Sequence, residues 1–289
     1  METSRYKVLQ MRENAMHIIF LTAACASVLA VGLICIFLFA NGIPAMAEIG
    51  LFDFLLGEKW KPGNDIYGIM PMILGSIYTT AGAILLGVPV GVLMAIFMAR
   101  FCQGRLYKIL KPAVDLLAGI PSIVYGFFGL IVLVPFVRNH FGEDGQSMLT
   151  ASILLAIMIL PSIISVSESS LRAVPESYYE GGLALGASHE RSVFFAVIPA
   201  ASSGILAGII LGVGRAIGET MAVMMVVGNQ TRVPDSLLDG IRTLTTNIVM
   251  EMGYATDLHR EALVATAVVL FVFVLIINLA FSLLKRKER

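Results

Sequence analysis

The sequence predicts an all-α integral membrane protein with six transmembrane helices and both the N and C termini in the cytoplasm. Three observations carry this. Of 289 residues, 57% are hydrophobic and only 14% charged, where a soluble domain carries about 25% charged residues. Six segments have the roughly 20 apolar residues needed to cross a hydrocarbon core about 30 Å thick: 17–40, 73–99, 113–137, 148–166, 202–228 and 262–284. The basic residues are also divided unequally between alternate loops. With the N-terminus inside, segments 1–16, 100–112, 167–200 and 285–289 hold thirteen Lys and Arg, against six in the outer segments 41–72, 138–147 and 229–261. That excess satisfies the positive-inside rule.

The first run starts from Arg5, Lys7 and Arg12 and is followed by Ala45-Met46-Ala47, the shape of a signal-peptide cleavage site. Signal h-regions run about 7–15 residues. This run has 24, so an uncleaved anchor is expected. Residues 1–72 therefore read as a cytoplasmic segment, first span and outer loop, and 73–285 as a core of five further spans. The longest loops, about 30 residues, are too short for a hydrophobic core of their own. Twenty basic residues balance twenty acidic ones, so no charge excess points to nucleic acid. Three cysteines are an odd number, Cys25 and Cys35 share one apolar run, and the four histidines are scattered. Neither a disulfide framework nor a metal-ligand spacing is expected. No nucleophile–base pair suggests a catalytic residue. Membrane lipid is the partner that composition demands.

Charge inside a bilayer is costly and marks function by default. In the fifth run Arg215 and Glu219 stand four apart near mid-span, on one face of an expected continuous helix. They read either as an ion pair hiding from lipid or as part of a polar pathway. Arg before Glu is the weaker i, i+4 order, which favours the pathway. Gly204, Gly208 and Gly212, with Gly214 and Gly218, line the same helix with small residues that admit a second backbone, within the monomer or between subunits. Ile120-Pro121-Ser122-Ile123 and Leu160-Pro161-Ser162-Ile163 interrupt the third and fourth runs near their cytoplasmic ends. A proline frees a backbone carbonyl that a Ser hydroxyl can satisfy, so each reads as a packing kink or, alternatively, as a hinge or polar lining. Asp115, shortly after Pro112, is expected in the first turn of the third span. Trp60 and Tyr67 are expected to anchor at the membrane interface.

The inner loop 167–200 predicts a short helix opened by Pro175. Glu176 and Glu180 lie near its positive end, Tyr178, Tyr179, Leu183 and Leu185 make an apolar face, and Gly186 supplies a left-handed cap. Ser188 then caps a second helix. Helices that rest on lipid usually carry Lys and Arg on their polar face. Here that face is acidic, which favours docking to a cytoplasmic protein.

At this loop the sequence becomes specific. Glu180-Gly181-Gly182-Leu183-Ala184-Leu185-Gly186, with Pro199 thirteen residues beyond the last Gly, resembles the E-A-A…G…I-x-L-P motif of ABC-importer permeases. Gly-Gly replaces Ala-Ala, and Val197-Ile198-Pro199 stands in the last part. Three more stretches are similar to phosphate permeases of the PstC type: Gly214-Arg215-Ala216-Ile217-Gly218-Glu219-Thr220-Met221-Ala222-Val223, Ile120-Pro121-Ser122-Ile123-Val124-Tyr125-Gly126, and Asn64-Asp65-Ile66-Tyr67-Gly68 followed by Pro71. The likeness covers about residues 60–285. It implies a type I, MetI-like permease bundle in a bacterial or archaeal plasma membrane, working by ATP-driven alternating access. It implies three partners: a second, PstA-type permease as heterodimer, a cytoplasmic ATP-binding subunit dimer, and an extracytoplasmic phosphate-binding protein. It implies coupling to the ATPase through Glu180, Gly181, Gly182, Leu183, Leu185 and Gly186. The chain has no G-x-x-x-x-G-K-[ST] loop, so no cofactor is expected on it and ATP falls to a partner. Arg215, Glu219, Thr220, Ser122 and Ser162 are the candidate pathway residues. Sulfate, molybdate or tungstate as cargo, and an ion-coupled secondary carrier, stand as alternative readings.

Overall fold

The computed structural model describes residues 2–142 and 144–287. Helix α1 (Glu2–Ile49) continues past the expected end of the first span and through Pro44. Its apolar side chains from Ile18 to Phe37 stand largely exposed, as suits a helix in hydrocarbon. Near its outer end it packs on the last helix. Ala45 of the Ala-Met-Ala stretch is fully buried there. A short helix α2 (Leu51–Leu56) and a two-stranded hairpin, β1 (Trp60–Lys61) and β2 (Ile66–Tyr67), follow on the outer side. Helix α3 (Met70–Ile96) forms the second span and ends in a wide π-helical turn, Phe97–Phe101.

The third run is not one helix. Helix α4 (Gly104–Gly119) ends, Ile120 and Pro121 are extended, and α5 (Ser122–Phe128) begins the actual span. The span continues through a π-helical turn, Gly129–Leu133, into α6 (Val134–Phe141). Pro121 favours the break, because a proline disfavours helical geometry in the residue before it, and Ile120 has ψ 127°. Asp115 therefore lies inside α4 and not in the first turn of a span. It pairs with Lys111 one turn back (3.4 Å). Pro161, by contrast, does not break its helix. Helix α7 (Met148–Ala173) runs straight through it.

Two short cytoplasmic helices follow, α8 (Glu176–Ala184) and α9 (His189–Ser192). A π-helical turn, Val193–Val197, leads into α10 (Ile198–Gly218). The fifth run also divides. Glu219 is extended (φ −72°, ψ 126°), and the short helix α11 (Met221–Val226) resumes after Thr220. After an irregular outer loop come α12 (Leu244–Glu251), with a Thr243–Thr246 capping box, and the last helix α13 (Asp257–Lys287). Six described segments are long and apolar enough to span a membrane.

Helix α7 is the axis of the bundle and its most buried span. Gly87 and Gly91 of α3 approach Ile159 and Ile163 on α7. Gly204, Gly208 and Gly212 of α10 approach Ser170, Ser167 and Ile163 on the same helix. The ridge of small residues thus packs within the chain, whereas Gly214 and Gly218 face nothing within 4 Å. A Cβ at Gly204 would overlap the Ser170 side chain. Gly204→Val is expected to push α10 off α7 and destabilise the bundle by about 1–3 kcal/mol, read as a lowered unfolding temperature in detergent. Gly214→Val should leave that temperature unchanged, and equal losses in the two variants would contradict this packing.

Trp60 and Tyr67 are not interfacial anchors. Both are buried with Phe54, Ile69, Leu244 and Leu263 in a core between the outer loops and the outer end of α13. The hairpin turns both rings inward, Trp60 opposite Tyr67, so neither faces lipid headgroups.

Candidate functional site

Because α10 ends at Gly218, Arg215 and Glu219 do not share a continuous helix face. None of the ion pairs among the described residues includes either one. Each sits instead at the helix end that suits its sign. Arg215 lies in the last turn of α10, where the dipole is negative. Glu219 precedes α11, and its Oε1 accepts the Ala222 N–H (3.3 Å), as a carboxylate does at a positive helix end. The Thr220 hydroxyl donates to the Gly218 carbonyl (3.2 Å), and Thr245 Oγ1 to the Glu219 carbonyl (3.3 Å). Broken backbone at membrane depth is tolerated only where protein or a polar cavity satisfies it. A cavity of about 10 Å³, near the size of one water, lies here, lined by Ser76, Thr79, Thr80, Glu219, Thr243 and Thr245 among others.

Ser122 is half-buried at the start of α5, and Ser162 is half-buried within unbroken α7. Neither lines the cavity at Glu219. Helix α5 does meet α11 closely. A Cβ at Gly126 would lie 2.6 Å from Met225 Sδ and 3.1 Å from Ala222 Cα.

The cytoplasmic loop folds as its capping residues dictate. Gly186 has φ +83°, the left-handed geometry that glycine adopts without penalty. Its N–H donates to the Leu183 carbonyl (2.9 Å) and the Ala187 N–H to the Gly182 carbonyl (3.1 Å), the two bonds of a Schellman cap. Ser188 Oγ accepts the Arg191 N–H (3.3 Å) and starts α9. A Cβ at Gly182 would lie 2.6 Å from Ser192 Oγ, whereas one at Gly181 would meet nothing within 4 Å. Helix α8 buries none of its residues. Glu180 is exposed, as are Tyr178, Leu183 and Leu185, Leu185 at 91%. Tyr179 instead turns inward and its hydroxyl meets His189 Nδ1 (2.8 Å).

Two buried ion clusters were not anticipated from the sequence. On the outer side, Glu251 accepts from Trp60 Nε1 (2.8 Å), His259 Nε2 (2.8 Å) and Arg242. Arg242 also donates to Asn247 Oδ1 (3.0 Å) and the Asn229 carbonyl (3.2 Å). On the inner side, Glu168 of α7 is 2% exposed. Its Oε1 accepts from Tyr107 Oη (2.7 Å) and Arg172 Nε (2.7 Å), and its Oε2 faces Lys111 Nζ at 3.2 Å. Burial opposes the charge on Lys111, but Glu168 and then Asp115 outweigh it and hold the ammonium above its usual pKa. The hydrogen bond to Glu168 raises the Tyr107 phenol. Glu168 and Arg172 stand at i, i+4 in the favourable order, a local signal. Their partners on α4 lie about sixty residues away, and nothing local announces them.

The model of the binding-protein-dependent transport system inner membrane component family matches residues 87–289. A probable ABC transporter permease protein, YqgH of Bacillus subtilis, is 37% identical over 89% of this chain and 88% of its own. The phosphate transport system permease protein PstC of Mesorhizobium japonicum is 37% identical over 88% of this chain and 84% of its own. In fold, the chain resembles an inward-facing structure of the MetNI methionine ABC transporter, with TM-score 0.57 and 21% identity over 77% of this chain and 94% of that one. The six spans, the broken fifth helix and the exposed cytoplasmic helix thus sit in a MetI-like permease bundle, and the chain belongs to the binding-protein-dependent transport system inner membrane components, multi-pass permease subunits of ABC importers.

Proposed function

We propose that this chain is one permease subunit of an ATP-driven inorganic phosphate importer. The observation that carries the reading is α8, a capped nine-residue helix with no buried residue. A helix this short is not stable alone, and exposed apolar residues in a cluster mark an interaction site. Tyr178, Leu183 and Leu185 are the apolar contact for a cytoplasmic ATP-binding subunit, and Glu180, Gly181, Gly182 and Gly186 shape it. The partners are an ATPase dimer, a second permease of the PstA type and an extracytoplasmic phosphate-binding protein. ATP hydrolysis belongs to the first of these. Phosphate as cargo is supported by the PstC-type relative and by the Gly214–Val223 stretch. In this reading residues 73–285 form the permease core, and 1–72 add a span and outer loop.

Transport follows from the broken helix. Arg215 offers transient positive charge to the anion, and Glu219 with Thr220 tempers it so that the anion leaves, since passage requires binding weak enough for exit. Ser122 and Ser162 add polar lining on the inner half. The test is ATP hydrolysis by the reconstituted complex with its binding protein. Phosphate is expected to stimulate turnover, and Leu185→Asp to abolish that stimulation. Stimulation by sulfate or molybdate instead of phosphate would move the cargo. Absence of any co-purifying ATPase would remove the docking role of α8.

A further inference from the structure

Along the backbone, helix α4 is joined to the third span through the extended Ile120-Pro121 pair. Such a joint transmits little force, so α4 and α5 need a second connection. One strap crosses the break: Tyr125 Oη of α5 donates to the Leu117 carbonyl of α4 (2.8 Å). On the other side of α4, every hydrogen bond and ion pair to α7 among the described residues ends on Glu168. Arg172 extends the cluster, its guanidinium donating to the Met98 carbonyl (2.9 Å) and lying 4.3 Å from the Tyr107 ring centroid. Arg100, at the end of the α3 turn, donates to the Leu171 carbonyl (3.2 Å) and pairs with Glu176 at the start of α8 (2.9 Å). The inner ends of α3, α4 and α7 are therefore tied to α8 through a few charged side chains. A buried ion cluster is poor evidence for stability, because apolar residues of similar volume often do as well. What it supplies is a fixed mutual orientation.

We propose that Glu168 is a positioning residue that locks α4 to α7, and that this pair moves as one rigid unit with α8, which Arg100 ties to α7 through Glu176 and the Leu171 carbonyl. Displacement of α8 is then carried by α4 across the Pro121 break to α5, and from α5 to the α11 segment that follows Glu219. This rests on the ATPase docking at α8 proposed above.

The test uses the assembled complex in liposomes, with Glu168→Gln, Lys111→Met and the conservative Lys111→Arg. Lys111→Met removes the α4 cation that faces Glu168 and leaves the Glu168–Arg172 pair, so it serves if Glu168→Gln does not assemble. Spin labels at the exposed positions 116 on α4 and 177 on α8, after replacement of the native cysteines, read the α4–α8 distance. In the parent and Lys111→Arg complexes the distance is expected to be narrow and identical with and without ATP. In Lys111→Met and Glu168→Gln it should broaden or shift on ATP, ATP hydrolysis should persist, and import should fall at least tenfold. Import at the parent level in Lys111→Met overturns the proposal. So does a parallel fall of import and hydrolysis with the distance unchanged, or failure of both Lys111→Met and Glu168→Gln to assemble, which makes the cluster a structural clamp only. If the complex hydrolyses ATP but carries another anion, the phosphate reading fails while the distance measurement still decides the role of Glu168.

Discussion

Glu251→Ala is expected to destabilise the outer half of the protein by about 3–5 kcal/mol, the cost of leaving a buried charge uncompensated. Three donors lose their acceptor at once. Arg242 is the severe case, since its side chain is 13% exposed and its guanidinium keeps only Asn247 and a backbone carbonyl. The Trp60 indole N–H and His259 Nε2 lose their partner as well. An ionised carboxylate can only accept, so Nε2 must carry the hydrogen in this arrangement. Trp60→Phe removes one hydrogen bond and should cost about 1 kcal/mol. Thermal unfolding of the purified protein, with proteolysis of the outer loops as a second probe, orders the two variants. Equal unfolding temperatures for Glu251→Ala and the parent would show that the cluster does not hold the outer cap together.

Arg215→Ala is expected to lower import by about 10- to 100-fold while assembly and ATP hydrolysis persist. A hydrogen bond to a charged group is worth about 1.5–3 kcal/mol, and each 1.4 kcal/mol is about tenfold. The persistence follows from the geometry. Arg215 belongs to no ion pair among the described residues, so its removal orphans no carboxylate among them. Arg215→Lys keeps the charge and should retain part of the activity. Uptake of labelled phosphate into proteoliposomes distinguishes these outcomes, and unchanged uptake in Arg215→Ala would take the residue out of the pathway. Had Arg215 and Glu219 formed the i, i+4 pair that the spacing suggests, the same substitution would also have stranded a half-buried carboxylate, and stability would have fallen with transport.

The number and order of the spans were legible because span length and loop charge are properties of contiguous sequence, but the third span runs Ser122–Phe141 and the fifth His189–Gly218, not 113–137 and 202–228. The short helix α8 was legible for the same reason: Gly186 and Ser188 act on backbone groups within four residues of themselves. The two helix breaks were half legible. Pro121 was visible as an interruption, yet whether a proline breaks a helix, as there, or is absorbed, as Pro161 is in α7, depends on what packs around it. Glu219 gave no sign that it would leave the helix.

What the amino-acid order determined by itself, then, was a six-span membrane bundle with an exposed cytoplasmic helix, because apolar run length, charge bias and capping act over short distances along the chain. Only the tertiary structure decided that the glycine ridge of α10 meets α7, that Trp60 turns inward to Glu251, and that Glu168 gathers Tyr107 and Lys111 from α4. Those contacts join residues tens to hundreds of positions apart, and a buried charge finds its partner through the packing of whole helices, which no local pattern records.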